Sequence, residues 1–320
     1  MVAQGKPHLS IQEVGAWLAG NYAGVVSDLT PLGGGFWSSA YAYRVGKHEF
    51  VLRLSDMREG FEIDRAAMRF TSPAIPVPEI VEIGTAFDRH FAISRRHYGR
   101  FIEEAPASDS AAVTQTLATL LRALRTQTPA RGCDVNWYDP EPSTGMTWRA
   151  WLRSGLVDSP DRTVHGWRAK LAADPRMDRL FQTCEERIEA LLPTCPERRD
   201  LIHGDLLHQN VLVSDDARRV TAIFSWKCSA LGDFLFDVAW CTFWSPWHPA
   251  IDPADLWQRT LTAPDLSEDD RRDAPLRHHC YELQIAASHF GWNVWTGNDQ
   301  ALVRLAAETD RLLDRGPLPA

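Results

Sequence analysis

The sequence predicts an α+β chain in two lobes, a small antiparallel β-sheet lobe followed by a larger, mostly helical C-terminal lobe. Three observations lead there. Apolar runs of strand length, separated by glycine- or charge-bearing turns, fill the stretch up to about residue 97. After Gly99 the apolar residues recur at helical spacing and continue so for most of the chain. Finally, 320 residues exceed what one hydrophobic core usually organises, so a division into 1–97 and 98–320 is the natural expectation.

Ser10 caps a helix over 11–21, because Ile11, Val14, Trp17 and Leu18 fall on one face. Strand signals begin near Val26, and the next strand is Ala40 to Val45. Between them lie Gly33, Gly34 and Gly35, which permit a tight reversal and close approach of backbone to a phosphate. Ser38 and Ser39 add hydroxyl donors to that loop. Phe50 to Leu54 is the following strand and carries Arg53. Glu62 and Asp64 open a helix running to about Thr71, and one of these acids, Asp64 by preference, is expected to pair with Arg53. Ile80 to Ile83 and Phe91 to Ser94 complete a sheet of about five strands, and Arg95 to Gly99 joins the lobes.

The second lobe starts with an amphipathic helix over Ser110 to Thr126, with Val113, Leu117, Leu120, Leu121 and Leu124 as its apolar stripe. Cys133 to Thr147 reads as loop. Helices follow over Trp148 to Leu156 and Met177 to Leu192. Leu201 and Ile202 then lead into His203-Gly204-Asp205, with Asn210 five residues on. Val211 to Val213 is a short strand, Ser214 to Arg218 a turn, and Val220 to Trp226 the returning strand of a hairpin. A helix beginning at Asp237 ends in Trp244-Ser245-Pro246-Trp247. Three more cover Pro253 to Thr262, capped by Asp252, then Asp273 to His289, and Asn298 to Asp314.

The chemistry concentrates at Leu201 to Asp233. A carboxylate and an amide five residues apart, on a loop braced by a hairpin, suit phosphoryl transfer: the acid accepts the proton of an attacking hydroxyl and the amide oxygen faces a cation. The H-x-D-x-x-x-x-N spacing is that of a kinase catalytic loop. Either residue alone would be an ordinary turn or strand residue. Their combination with His203 and the hairpin makes Asp205 the candidate catalytic group.

His203-Gly204-Asp205 through Asn210-Val211-Leu212, with Trp226 and Gly232-Asp233, resembles the aminoglycoside phosphotransferase family. Phe50-Val51-Leu52-Arg53, Ile93-Ser94-Arg95-Arg96 and Phe243-Trp244-Ser245-Pro246-Trp247 point to its hygromycin-type branch. The likeness runs from about residue 30 to 250. It implies a protein-kinase-like two-lobe fold, ATP or GTP with Mg2+ as cofactor, transfer to a hydroxyl of an antibiotic-like small molecule, and a role in antibiotic resistance. By the same likeness Gly33, Gly34, Gly35, Ser38, Arg53, Asp64, Arg95 and Arg96 belong to the nucleotide site, the last two through the backbone of a hinge. Asp237, Trp240, Trp244, Glu282, His289 and Trp292 belong to the wall of an acceptor cleft, though plain core is the other reading of so many aromatic residues.

One position departs from the pattern. The family's returning strand ends in I-D-W, whose aspartate ligates magnesium; here Ser225 stands in its place, and Asn210 is left as the matching ligand. Three explanations remain open: a substitute carboxylate, with Asp233, Asp237 and Asp205 the choices; a residue changed to trap a complex; or a kinase fold that has left phosphoryl transfer and binds or transforms a small molecule by other chemistry. A choline- or sugar-kinase-like role is a further alternative.

Bulk properties narrow the field. A formal charge of −8 without any long Lys/Arg run argues against a nucleic-acid partner. No apolar stretch reaches the length of a membrane span, so no membrane partner is expected. Six cysteines with no C-x-x-C pair or zinc-like spacing suit reduced packing thiols in the cytoplasm. The expected partner is a small-molecule hydroxyl acceptor, and the expected state a monomer.

Overall fold

The computed structural model describes residues 9–22, 24–33, 35–127, 135–138 and 145–319, so Gly34 and most of the predicted 133–147 loop lie outside the described residues. The chain forms two compact units, one of residues 1–116 and 205–228, the other of 117–204 and 229–320.

In the first unit α1 (Ile11–Asn21) starts with a capping box: the Ser10 hydroxyl accepts from the Glu13 amide and the Glu13 carboxylate accepts from the Ser10 amide. Strands β1 (Val26–Leu32), β2 (Ser39–Val45), β3 (His48–Ser55), β4 (Ile80–Ala86) and β5 (Arg89–Arg95) form an antiparallel sheet in the order β1-β2-β3-β5-β4. Alternation divides its faces. Tyr41, Tyr43, Leu52, Leu54, Phe91 and Ile93 pack with Val14 and Leu18 of α1, while Ala92 and Ile80 pack with Phe61 of α2 (Arg58–Ala67). Apolar burial on both faces makes this sheet a rigid platform for the loops at its edges.

Helix α2 begins four residues earlier than its acids suggested. Its N-cap, Met57, makes no side-chain capping bond, so nothing in the sequence marks the start. A second sheet joins β6 (Arg100–Phe101), β8 (Val211–Val213) and β9 (Val220–Ile223). This pairing draws the hairpin after Asp205 into the first unit, so the expected single cut after residue 97 does not coincide with the division the chain adopts. Gly99, at φ 150°, makes the approach possible: a Cβ there would lie 2.4 Å from the Val213 carbonyl oxygen and 2.6 Å from the Thr221 hydroxyl. Thr116 fastens the hairpin turn from the other side, its hydroxyl donating to the Ala217 carbonyl at 2.7 Å.

Helix α3 (Ser110–Arg125) runs across the boundary between the units. The second unit holds α4 (Trp148–Ser154), α5 (Arg168–Leu171), α6 (Pro175–Leu191), α7 (Leu235–Trp244), α8 (Pro253–Leu261), α9 (Glu268–Arg271), α10 (Ala274–Thr296) and α11 (Asp299–Arg315). The 23-residue α10 is its axis and packs against α5, α6, α7 and α11. Two short strands missed by periodicity, β7 (Asp200–Ile202) and β10 (Ala230–Gly232), pair antiparallel and bring the residues before Asp205 beside those before Asp233. Strand β9 stops at Ile223 instead of Trp226, because Ser225 takes φ 61° and the chain turns into a short 3-10 helix over Trp226–Cys228.

Candidate active site

Asp205 and Asn210 come together in the first unit. The Asn210 amide nitrogen donates to the Asp205 carboxylate (Oδ2, 2.8 Å), the Asp205 carbonyl (2.7 Å) and the Leu207 carbonyl (2.9 Å). The Asn210 main-chain carbonyl accepts from the Phe224 amide at 2.9 Å, which ties the loop to the hairpin. Leu206 and Leu207 are fully buried and anchor the loop from below, whereas the Asp205 side chain keeps 23% of its surface. A carboxylate that is held firmly yet reaches solvent can meet a hydroxyl from outside.

The loop closes through two successive residues with left-handed backbone, His208 (φ 64°) and Gln209 (φ 67°). The Gln209 amide donates to Glu103 Oε1 at 2.6 Å, and His208 Nδ1 lies 2.9 Å from Asp205 Oδ1. Burial raises the Glu103 carboxyl above its ordinary range, although the Gln209 amide works the other way. Partial burial disfavours a charged His208, but the hydrogen bond and charge of Asp205, with the charge of Glu103, outweigh it and raise the imidazole's pKa. Neither His208 nor Glu103 stood out in the sequence. A histidine three residues after the acid was the available signal for the first; Glu103, 106 residues from its partner, gave none.

Arg53, one of the predicted phosphate-site residues, pairs with Asp64 rather than Glu62: Nη2 to Oδ2 is 2.7 Å. Its guanidinium also lies over the Phe61 ring at 5.1 Å. The other Asp64 oxygen accepts from the Trp226 amide at 2.8 Å, so this one acid, only 7% exposed, links β3 to the residue after Ser225. In the glycine loop Gly35 takes φ 54°, and Ser55 donates to the Trp37 carbonyl at 2.9 Å. Ser38 is half-buried just before β2.

The hinge reading needs a correction at Arg95 and Arg96. The Arg95 amide donates to Glu79 and the Arg96 amide to Glu49, both in main-chain pairing, so neither N–H is available to a base. Their side chains lie over Phe50 and Tyr98.

In the second unit the predicted acids turn out to be braces. Asp233 is fully buried; its oxygens accept both Arg277 guanidinium donors at 2.8 Å and the Tyr281 hydroxyl at 2.7 Å. A carboxylate already neutralised and enclosed in this way is not a substitute metal ligand. Asp237 is 2% exposed and accepts from the His203 and Gly204 amides at 2.7 and 2.8 Å, fixing the two residues that precede Asp205 in the chain. Glu282 is also 2% exposed, bonded to Thr242 at 2.9 Å and to Arg315, with its pKa raised by burial. Its ties are structural, not to an acceptor. Trp240 and Trp244 are buried against one another and against His289, whereas His289 and Trp292 keep partial exposure.

Magnesium, implied by the resemblance, prefers anionic oxygen and octahedral geometry. The assigned positions offer only the Asn210 side-chain oxygen and the neutral Ser225 hydroxyl. Among the described residues no group of three or more His, Cys, Asp or Glu is arranged to hold a metal ion. This donor set does not fit a metal ligated by the protein's own carboxylates.

Comparison with known proteins finds relatives in both sequence and structure. A sequence model described as the phosphotransferase enzyme family matches residues 28–275. Hygromycin-B 4-O-kinase of Escherichia coli is 30% identical over 250 residues, covering 77% of this chain and 71% of that protein. Aminoglycoside 3'-phosphotransferase of Streptomyces ribosidificus is 28% identical over 199 residues, 58% of this chain and 68% of its own. Among solved structures, a thermostable mutant of aminoglycoside phosphotransferase APH(4)-Ia in a ternary complex with AMP-PNP and hygromycin B superposes with a TM-score of 0.76 at 26% identity, covering 94% of this chain and 98% of the other. The spectinomycin phosphotransferase APH(9)-Ia, with a TM-score of 0.61 at 15% identity over 96% and 95% of the two chains, shares the fold. With the protein-kinase-like fold and the Asp205–Asn210 pair in place, the chain belongs to the phosphotransferase enzyme family.

Proposed function

We propose that the protein is a nucleotide-dependent O-phosphotransferase whose acceptor is a hydroxyl of an aminoglycoside- or aminocyclitol-like small molecule. The observation that carries this reading is the Asp205 carboxylate, clamped by Asn210 and still 23% exposed. Relatives that phosphorylate aminoglycosides, and a structural neighbour holding AMP-PNP and hygromycin B, support the substrate class.

In the reaction the acceptor hydroxyl hydrogen-bonds to Asp205, which orients it in line with the terminal phosphorus. The new O–P bond forms as the bond to the leaving nucleoside diphosphate breaks, and the hydroxyl proton passes to Asp205. The Gly33–Ser39 loop and Arg53 steady the phosphates, with Arg53 aimed by Asp64. No step here runs through a metal ligated by Ser225.

The test is a nucleoside-diphosphate release assay with ATP and with GTP, run over hygromycin B and a panel of aminocyclitols, with products identified by mass. One acceptor gaining a phosphoryl group at micromolar to millimolar KM is expected. Nucleotide binding without transfer to any of them would instead favour a fold turned to other chemistry, the reading that Ser225 keeps in play.

A further inference from the structure

We propose that His208 is a positioning residue for Asp205, holding the carboxylate in the plane from which it meets the acceptor hydroxyl. The proposal rests on Asp205 being the catalytic acid, as argued above. The geometry is a two-sided clamp. Asn210 donates to Oδ2 at 2.8 Å, and His208 Nδ1 faces Oδ1 at 2.9 Å. A carboxylate only accepts, so the hydrogen in the second contact sits on Nδ1. One donor on one oxygen leaves rotation about the Cβ–Cγ bond open; donors on both oxygens stop it.

The backbone around the ring argues for selection of this contact. His208 and Gln209 both occupy the left-handed region, which non-glycine residues enter at an energetic cost, and they do so consecutively. That conformation is pinned from outside the loop by Glu103, whose carboxylate accepts the Gln209 amide at 2.6 Å. A less strained loop could still connect Asp205 to Asn210 but would not bring the imidazole back onto the acid. The ring is 41% exposed, so its burial does not account for the arrangement.

The test uses isosteres. Asparagine places its amide nitrogen where Nδ1 of histidine lies, whereas glutamine places its own near Nε2. His208→Ala and His208→Gln are expected to lower kcat by about 10- to 100-fold with KM for nucleotide and acceptor unchanged, and His208→Asn to recover most of it. The Asn-over-Gln order keeps the test decisive even if the alanine variant folds poorly. Ring 15N NMR of the wild type adds a readout independent of turnover: the hydrogen on Nδ1 should be seen, and its signal should shift in Asp205→Ala. Variants that all keep kcat within twofold, or asparagine no better than glutamine, overturn the proposal while the functional reading stands. A wild type that transfers phosphate to no acceptor overturns both.

Discussion

Asp205 and Asp233 each accept hydrogen bonds on both carboxylate oxygens, yet their surroundings differ in every other respect. Around Asp205 the partners are an amide and an imidazole, the flanking backbone is left-handed at two residues, and nearly a quarter of the side chain meets solvent. Around Asp233 the partners are a guanidinium, a phenol and the Leu235 main-chain amide, exposure is nil, and Tyr281 is itself held by the Trp148 indole at 3.1 Å. The first arrangement keeps a carboxylate presentable at some backbone cost. The second spends the same side chain on order. Exposure, rather than residue type, separates an acid that can meet a ligand from a buried brace.

Four substitutions can break or sharpen this contrast. Asp205→Asn should lower kcat by about a thousandfold while leaving the melting temperature nearly unchanged; a kcat within tenfold of wild type would remove Asp205 from the chemistry. Asp233→Ala should do the reverse, costing about 3–5 kcal/mol by leaving the Arg277 guanidinium buried without its carboxylate. Urea unfolding measures this, and a loss under about 1 kcal/mol would show that the brace is not needed. Adding Arg277→Met to that variant should recover part of the loss, since the orphaned charge goes with it. The smallest effect is expected from Ser225→Asp, which restores an anionic oxygen. Calorimetric titration should give roughly tenfold tighter nucleotide binding with magnesium and no gain without it. Equal affinity in both conditions would mean that residue 225 does not face the metal.

Where the sequence was legible, a local rule was strong enough to be seen unaided. The Asp205–Asn210 spacing and the hairpin after it are short-range, and so is the Ser10 capping box. Arg53 and Asp64 are eleven residues apart, and likeness to the lysine–glutamate pair of kinases, not a local rule, suggested their pairing. The acids of the second unit were not legible in the same way. Asp237 and Glu282 read as cleft residues because a polar side chain on an apolar helix is ambiguous: it can line a site or satisfy buried groups. Only the positions of the His203 and Gly204 amides and of Arg315 decide, and these lie 33 or 34 residues away in each case. Short strands such as β6 carry no period to read. The hinge amides failed for a related reason, because main-chain pairing leaves no side-chain trace.

Asp64 has one more consequence. Its two oxygens serve different clients, the Arg53 side chain and the Trp226 main chain, and it rides on α2. Any tilt of that helix is therefore felt at once by the Arg53 guanidinium and by the turn that carries Ser225. The side chain on β3 and the main chain after Ser225 are thus held to one short tether and move with it.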